Sequence, residues 1–436
     1  MNRFTASLHT HVRSIFDAQI DADELCKKII EMGGKGCAIT DHGVLSSIED
    51  YRPVFAANGL KMIPGCELYV DGGILGRLHL VVLARNFNGY KAVCRMVTTA
   101  NQNQAIEGGS YPVITQEQMF DIARGCKDDI FALSACVQGV LAAIFLQNKT
   151  VEDKIAKVKR KQEKYINPAS EDAVKAETAF EKAAEDVNIA IAKRDSTKAL
   201  AEMKFVQREK AIAKKEKAGE DMTAYRAELN SDKEKSEKAQ AELEAVKDAL
   251  AMARKKLTAA NKAKEEVSES IDKFLECEDE IMSLRQELKS EEVLCDMAKN
   301  TAMKYLDAFG SGNFLAEVQY HGIEAEAECY PKVVGVAKEL NIPLVATNDV
   351  HMLTNSPDDR LRRQILRSLR FGKSFEPENP GDEELYLKDN DELFEWLSKI
   401  ISKEDAEAAI NNIDVVFNAC NVEFETGKHY PKYKEE

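Results

Sequence analysis

The sequence lacks the features that mark membrane, secreted and nucleotide-binding proteins. It has no apolar run approaching the ~18 residues needed to cross a bilayer, so no membrane partner is expected. Its ten cysteines are scattered without a CxxC pair, which predicts free thiols in a reducing cytoplasm. No G-x-S-x-G elbow, P-loop or strand-to-helix G-x-G-x-x-G fingerprint is present. A serine hydrolase, a P-loop NTPase and a dinucleotide enzyme are therefore not indicated.

Acidic residues outnumber basic residues, 75 to 60. The formal net charge is −15, which argues against a general nucleic-acid coat protein. It does not exclude an enzyme that acts on nucleic acid, because bound cations reverse the local field. The length of 436 residues and the apolar fraction of 44% predict two or three domains with a sizeable core.

A central segment differs sharply in composition from its flanks. Between Val151 and Ser290 there is no histidine or tryptophan, and the single proline and glycine are Pro168 and Gly219. Its apolar residues recur with a 3.5-residue period at Leu243, Val246, Leu250, Ala253, Leu257 and Ala260. This period predicts a coiled-coil seam. Residues 151–295 are interpreted as an inserted antiparallel coiled coil, broken at Pro168 and turning near Gly219; a long helix paired with a second chain is the alternative.

The flanks alternate short apolar runs with helical segments. The predicted strands are KGCAIT, GLKMIPGCELYV, RLHLVVLA and DIFALSAC before the insertion, and NFLAEVQ and PLVATND after it. This alternation predicts an α/β fold with a largely parallel sheet. Buried strands that end in polar residues are typical of a β/α barrel with its site at the C-terminal strand ends. Residues 1–150 and 296–375 would form the barrel, and residues 376–436 a helical C-terminal segment.

Six of the seven histidines lie in short polar motifs near predicted strand ends. LHTH places His9 and His11 at i and i+2, so both side chains point to one side of an extended strand. TNDVH repeats this spacing with Asp349 and His351, and TDHG supplies His42. Imidazoles and carboxylates together are typical ligands of hydrolytic metal ions. We therefore expect a multinuclear metal site.

Several further residues are candidates for the same site. GCELYV supplies Glu67 after an apolar approach, at an expected strand end, and Asp17 follows LHTH in SIFDA. Taken alone, His79 within RLHLVVLA is more often a core histidine, and Cys136 in IFALSAC is more often a structural cysteine. His429 lies in a polar tail and is not expected to take part. Two or three ions held by such a set would activate water and stabilise a leaving oxygen, which favours phosphoester hydrolysis.

Eight motifs outside the insertion occur in an order that resembles a known domain. They are LHTH, SIFDA, ITDHG, GCELYV, HLVVLARNFNGYKAV, ALSACVQG, FLAEVQYHG and LVATNDVH. Together they resemble the polymerase and histidinol phosphatase (PHP) domain, in the version found at the N-terminus of bacterial DNA polymerase III alpha subunits. The resemblance covers residues 3–147 and about 300–436. It implies a distorted (β/α)7 barrel with a trinuclear metal centre.

The resemblance also implies the roles of individual residues. The metal ligands would be His9, His11, Asp17, His42, Glu67, His79, Cys136, Asp349 and His351. Among them, the catalytic candidates are His9, His11, His42, Asp349 and His351. Asp41 and Asn348 would orient neighbouring ligands, and His321 of QYHG would lie at the rim of the site. The interval from His11 to Asp17 is one residue shorter than the family pattern, and Ser14 lies nearby.

The function implied by the resemblance is a metal-dependent phosphoesterase, specifically a 3′–5′ exonuclease of DNA replication. It would use two or three Zn, Mn or Mg ions, act on DNA 3′ ends, and work beside the rest of a DNA polymerase III alpha in cis or in trans. The polymerase aspartates are absent, so we expect a fragment or a naturally split subunit in the cytoplasm. Two alternatives are a non-catalytic metal-binding scaffold for a polymerase chain and a small-molecule phosphatase of the histidinol phosphate type.

Overall fold

The chain divides into two compact units. A computed structural model describes residues 4–13, 18–107, 109–203, 205–216, 223–372 and 378–424. The first unit comprises Met1–Thr150 and Lys289–Glu436, and the second comprises Val151–Leu288. In the part of the chain that the structure describes, no helix is long and apolar enough to cross a membrane.

An eight-stranded sheet lies at the centre of the first unit. Its strands are β1 (Ala6–Ser7), β2 (Gly36–Ile39), β3 (Lys61–Asp71), β4 (Arg77–Ala84), β5 (Val113–Ile114), β6 (Ile130–Leu133), β7 (Phe314–Val318) and β8 (Leu344–Ala346). They are arranged in the order β1-β2-β3-β4-β6-β7-β8, and β5 pairs with β3. The fold is therefore α/β, as predicted.

Strand β4 is the exception within the largely parallel sheet that the sequence predicts. β4 runs antiparallel to both β3 and β6, whereas every other described pair of strands is parallel. The carboxyl ends of the parallel strands therefore lie beside the beginning of β4. His79, near that beginning, is brought to the same edge of the sheet as the residues that follow β1, β2 and β8.

The segments that follow the first and last strands of the sheet are hydrogen-bonded to each other. The backbone N–H of His11 donates to the carbonyl of Val350 at 2.8 Å, and the N–H of Val350 donates to the carbonyl of His9 at 3.1 Å. Thr10 and Val350 thus form a parallel bridge. This bridge places LHTH beside TNDVH.

Helices surround the sheet and form the second unit. They are α1 (Ala22–Glu31), α2 (Ser46–Ala57), α3 (Phe87–Glu107), α4 (Gln116–Arg124), α5 (Ala142–Gln162), α6 (Glu171–Met203), α7 (Phe205–Glu216), α8 (Thr223–Glu287), α9 (Glu291–Phe309), α10 (Glu324–Glu339), α11 (Pro357–Phe371), α12 (Asn390–Leu397) and α13 (Lys403–Ala419). Side-chain oxygens of Asp21, Ser290 and Ser402 accept the first free N–H groups of α1, α9 and α13, which fixes where these helices begin.

The core of the first unit lies between the sheet and these helices. Leu80, Val81, Val82 and Leu83 of β4 are all fully buried, so both faces of this strand are covered. A continuous apolar strand of this kind is typical of a sheet packed on both sides.

In the second unit the long helices α6 and α8 pack side by side. Glu177 of α6 lies 2.7 Å from Lys264 of α8, and Gln162 at the end of α5 lies 3.2 Å from Glu278. Later residues of α8 therefore face earlier residues of the chain, so the helices run in opposite directions. Val187 and Val246 are buried in this unit.

The helix break predicted at Pro168 is present. α5 ends at Gln162 and α6 begins at Glu171, so Pro168 lies in the connection between them. Ser170 Oγ accepts from the N–H of Ala173 at 3.4 Å, as a residue before a new helix does. The predicted turn near Gly219 lies outside the described residues.

Candidate metal centre

Five candidate ligands meet at the edge of the sheet where the parallel strands end. His9 and His11 follow β1, His42 follows β2, Glu67 lies in β3, and Asp349 follows β8. The imidazoles of His9 and His11 and the carboxylate of Glu67 are fully buried. The backbones of His42 and Glu67 form an isolated parallel β-bridge.

Four ligand atoms converge on one small volume. His9 Nε2 and His11 Nε2 are 3.1 Å apart. Asp349 Oδ1 lies 3.3 and 3.1 Å from these nitrogens, and Glu67 Oε2 lies 3.6 and 3.3 Å from them. Both carboxylate oxygens are buried and face imidazole nitrogens, which can donate hydrogen bonds to them only while they carry a proton. Buried acceptors normally find a partner, and a divalent cation among these four atoms would satisfy them.

The ligand atoms form three overlapping groups. One group is His9, His11, Glu67 and Asp349, a second is His11, His42 and His351, and a third is His42, Glu67 and His79. His11, His42 and Glu67 each belong to two groups. Shared ligands are compatible with neighbouring ions, so the arrangement fits a centre with more than one metal ion.

The remaining candidates His79, Cys136 and Asp17 have three different outcomes. His79 Nδ1 lies 2.9 Å from Glu67 Oε1, so this histidine faces a ligand carboxylate rather than an apolar core. Cys136 Sγ lies 3.7 Å from His79 Nδ1 but belongs to none of the ligand groups found among the described residues. Burial raises the pKa of the Cys136 thiol well above its usual value. Asp17, like the nearby Ser14, lies outside the described residues.

The charges of the site balance one another in the metal-free protein. Burial lowers the pKa of His11, but hydrogen bonds and charge from Asp349 and Glu67 outweigh burial and raise it to about 9. Burial raises the pKa of both carboxyls, but the histidines that face them outweigh it and hold the pKa well below the usual value. His42 is different, because burial lowers its pKa to about 4. The pKa of His9 is raised as well, since Glu317, Asp349 and Glu67 outweigh the effect of burial, so the carboxylates favour positive charge on both neighbouring imidazoles.

Glu317 of β7 is a residue of the site that the sequence did not single out. Its Oε1 accepts from His9 Nδ1 at 2.7 Å and from Gln319 Nε2 at 2.8 Å, and the Thr347 hydroxyl donates to the same oxygen. Its Oε2 accepts from the backbone N–H of Ala135 at 2.9 Å. These bonds hold the imidazole of His9 with Nε2 directed at the ligand group. The signal in the sequence is a single glutamate within the apolar strand FLAEV.

Asp41 holds the chain that follows LHTH. Its Oδ1 accepts from the backbone N–H of Val12 at 2.8 Å and of Arg13 at 3.0 Å, and the Ser47 hydroxyl donates to Oδ2. Asp41 therefore contacts the backbone after the two histidines and belongs to none of the described ligand groups.

Asn348 of the TNDVH segment and His321 contact each other. Asn348 Nδ2 donates to the carbonyls of Glu384 and Tyr386 at 2.8 and 2.6 Å. His321 Nε2 lies 3.1 Å from the carbonyl of Asn348, and its Nδ1 lies 2.6 Å from Glu326 Oε1. These contacts fix the backbone immediately before Asp349.

Two non-glycine residues at the centre have left-handed backbone conformations. Asp349 has φ 46° and Ala135 has φ 62°. Such conformations cost of order 1–3 kcal/mol and persist where the surroundings impose them. The bridge at Val350 and the bond from Ala135 to Glu317 impose them here. Local strain is therefore concentrated at residues that place ligands or their partners.

The comparisons with known proteins agree on one domain. The profile of the PHP domain matches residues 7–179. DNA polymerase III subunit alpha of Treponema pallidum is 31% identical over 159 residues, which are 33% of this chain and 13% of the relative. Those of Chlamydia muridarum and Aquifex aeolicus are 30% and 31% identical over 159 and 157 residues, covering 34% and 32% of this chain. The matches span only 12% and 13% of these two relatives. The chain therefore contains a PHP domain, and that domain is related to the one in DNA polymerase III alpha subunits.

Proposed function

We propose that this PHP domain is a metal-dependent phosphoesterase that removes nucleotides from DNA 3′ ends. The observation that carries the proposal is the buried convergence of His9 Nε2, His11 Nε2, Glu67 Oε2 and Asp349 Oδ1. Two or three divalent ions, when bound, would lower the pKa of a coordinated water and neutralise charge on phosphate oxygens. The many imidazoles suit zinc or manganese better than magnesium, which prefers oxygen ligands.

The chain's own residues have distinct roles in this proposal. The residues that hold ions are His9, His11, Asp17, His42, Glu67, His79, Cys136, Asp349 and His351. Glu317 orients His9 through Nδ1. Asp41 keeps the backbone after LHTH in place, and Asn348 with His321 does the same before Asp349. Binding of ions requires that His9 and His11 each give up a proton, because only the neutral imidazole is a ligand and the neighbouring carboxylates raise the pKa of both.

The identity of the relatives supports DNA as the substrate class. They are DNA polymerase III alpha subunits, so the rest of such a polymerase, in cis or in trans, is the proposed partner and the cytoplasm the proposed place of action. We also propose that the sheet closes into the (β/α)7 PHP barrel. In the same proposal α6 and α8 form the arms of an antiparallel coiled coil, and residues 376–436 lead toward a polymerase palm.

A pair of aspartate variants tests the activity. Asp349→Asn removes a ligand charge at the centre, whereas Asp358→Asn changes an exposed aspartate at the start of α11. Release of mononucleotides from a 3′-labelled single strand with Mn²⁺ should fall by ~10²-fold or more in the first variant and stay at the wild-type rate in the second. Elemental analysis of protein prepared without chelator should give two or three ions per chain.

The same experiment separates the alternatives. Stoichiometric metal without hydrolysis of any ester would favour the scaffold, and phosphate release from histidinol phosphate without DNA hydrolysis would favour the small-molecule phosphatase. Either result would reject the exonuclease. A metal content near zero that added Mn²⁺ or Zn²⁺ does not restore would reject the metal centre itself.

A further inference from the structure

A cavity of about 310 Å³ lies beside the metal centre. Its lining includes His42, Tyr69, Asn101, Gln104, Tyr111 and Arg370. His42 connects the cavity to the centre, because it belongs to two of the three ligand groups. This volume is at the lower end of the range for small-molecule sites, which suits a ligand of the size of one nucleotide rather than a duplex.

Aromatic rings form one continuous wall from the centre to the cavity. The imidazole of His42 is nearly parallel to the Tyr69 ring, with centroids 5.5 Å apart and planes 9° apart. Tyr69 in turn meets Tyr111 edge to face at 5.2 Å. Tyr69 is 5% exposed, whereas Tyr111 is only partly buried. Tyr111 is therefore the ring of this wall that a ligand in the cavity can reach.

Two guanidinium groups flank Tyr111. The Cζ of Arg77 lies 3.7 Å from the Tyr111 centroid and 4.7 Å from that of Tyr69. Arg370 Nη2 donates to the Tyr111 hydroxyl at 3.2 Å. Arg77 stacks on rings, and its Nε is buried without a hydrogen-bond partner in the described part of the chain. In a chain of net charge −15, this is a local concentration of positive charge next to a ligand histidine. Guanidinium groups are well suited to bind phosphate.

We propose that this cavity binds the terminal nucleotide of the DNA strand, with the base against Tyr111 and the phosphate held by Arg370. Arg77 is a positioning residue, because its guanidinium group contacts the rings of both Tyr111 and Tyr69 and so supports the orientation of Tyr111. The inference rests on the proposed function for its ligand class, a nucleoside 5′-monophosphate unit. Stacking on an aromatic ring accepts every base, because each base has a π face, so binding is independent of sequence.

Equilibrium binding of three small probes tests the cavity without requiring hydrolysis. The probes are dTMP, deoxyribose 5-phosphate and thymidine, titrated calorimetrically into the full chain with and without Mn²⁺. Wild type should bind dTMP about tenfold more tightly than deoxyribose 5-phosphate, since stacking of one base contributes of this order. Tyr111→Ala should abolish the difference and Tyr111→Phe should retain it. Tyr165→Ala, which changes a partly buried tyrosine of the second unit, should leave it unchanged.

A second pair of variants tests whether Arg370 holds the phosphate. Arg370→Gln should weaken the binding of dTMP and of deoxyribose 5-phosphate by about tenfold, and it should leave the affinity for thymidine unchanged. Arg362→Gln, on the same helix α11 with a side chain 64% exposed, should change none of the three. Equal affinity of wild type for dTMP and deoxyribose 5-phosphate would overturn the proposal, and so would Tyr111→Ala with wild-type discrimination.

The two proposals fail in different ways. Binding of dTMP that depends on Tyr111 in a chain that hydrolyses no DNA would uphold the cavity and reject the exonuclease. Hydrolysis of DNA by a chain that does not distinguish dTMP from deoxyribose 5-phosphate would uphold the exonuclease and reject the cavity.

Discussion

At the residue scale, the orientation of His9 depends on one buried carboxylate. Glu317 accepts the proton of His9 Nδ1, so Nε2 is left to face Glu67 and Asp349. A histidine ligand commonly donates its other ring N–H to a carboxylate, which fixes the ring and increases its basicity. The donors Gln319 and Thr347 hold Glu317 itself in place.

Glu317→Gln should weaken metal binding about 10–100-fold, because an amide cannot balance the charge of His9 or hold its ring as a carboxylate does. The affinity for Mn²⁺ or Zn²⁺ is measured by calorimetric titration. Glu328→Gln is the matched control, because Glu328 is exposed on α10 beside Lys332. Equal affinities in the two variants would show that Glu317 has no part in placing His9.

Metal affinity should rise with pH. The carboxylates around His11 raise its pKa to about 9 in the metal-free protein, so it is protonated at neutral pH and must lose this proton when an ion binds. His9 also has a pKa raised well above its usual value, because the carboxylates of Glu317, Asp349 and Glu67 outweigh the effect of burial. Affinity should therefore increase with pH above about 6, by about tenfold per unit for each of the two protons released. His42, with a pKa of about 4, is already neutral and releases none. Calorimetry in buffers of different ionisation enthalpy counts the protons; an affinity independent of pH would contradict the charge balance described here.

The sequence singled out the histidines, Glu67 and Asp349 that the structure brings together, but not Glu317. His9 with His11 and Asp349 with His351 were predicted from i, i+2 spacing at strand ends, and the structure brings both pairs together. Glu317 was missed because the chain has 75 acidic residues and nothing local marks one as buried. Its burial depends on contacts with residues about 180 and 300 positions away.

At the scale of elements, the direction of β4 decides which side chains His79 contacts. The sequence predicted this strand with its full extent, but hydrophobicity alone carries no information about direction. Because β4 is antiparallel to β3, the pairing of Tyr69 with His79 sets the register that brings Nδ1 to Glu67. A parallel β4 would place His79 at the opposite edge.

Helix α11 shows how tertiary ion pairs override a hydrophobic pattern. Leu361, Ile365 and Leu369 form an apolar stripe that would normally face the core, yet each is at least 51% exposed. The buried side carries Arg363 and Arg367, which both pair with Asp382. These ion pairs form only in the folded chain, so the hydrophobic pattern of the helix does not show which face is buried.

The loop after β6 depends on a glycine at position 139. A Cβ at Gly139 would lie 1.9 Å from the carbonyl oxygen of Ser134 and 2.7 Å from that of Cys136. Gly139→Ala should therefore destabilise the chain by ~1–3 kcal/mol and displace Ala135, which binds Glu317. Urea denaturation and metal titration measure the two effects.

Gly335→Ala is the matched control for this substitution. Gly335 lies inside α10, and a Cβ there would meet nothing within 4 Å. Alanine in a helix interior should stabilise the chain by up to ~1 kcal/mol. If the two variants unfolded at the same urea concentration, the loop of Gly139 would not be packed as described.

At the scale of the whole molecule, the first unit is made from two separate stretches of chain whose ends meet. Asn148 Nδ2 donates to the carbonyl of Lys289 at 2.8 Å, and the N–H of Lys289 donates to Asn148 Oδ1 at 3.0 Å. The second unit has its own apolar cluster, in which Val151, Ile155 and Val158 pack with Cys277 and Ile281. The change in composition near residue 150 was visible in the sequence, whereas the meeting of Asn148 with Lys289 required the fold.

Replacement of residues 151–288 by a short Gly/Ser bridge should leave a first unit that folds and binds metal. The two ends are already hydrogen-bonded, so a bridge of a few residues can span them, and loop closure costs only ~0.6 kcal/mol for each doubling of loop length. The removed residues include none of the ligands in the three described groups. The measurements are solubility, thermal unfolding with and without Mn²⁺, and ions bound per chain.

The deletion carrying Asp349→Asn is the control that links this metal to the centre. Unfolding temperature should rise with Mn²⁺ in the deletion, because a ligand that binds only the folded state stabilises it, and should rise much less when Asp349 is replaced. A deleted chain that is insoluble, or that unfolds at the same temperature with and without Mn²⁺, would show that the first unit needs the second to form its centre. Retention of metal with loss of DNA hydrolysis would instead assign the second unit a part in binding the strand.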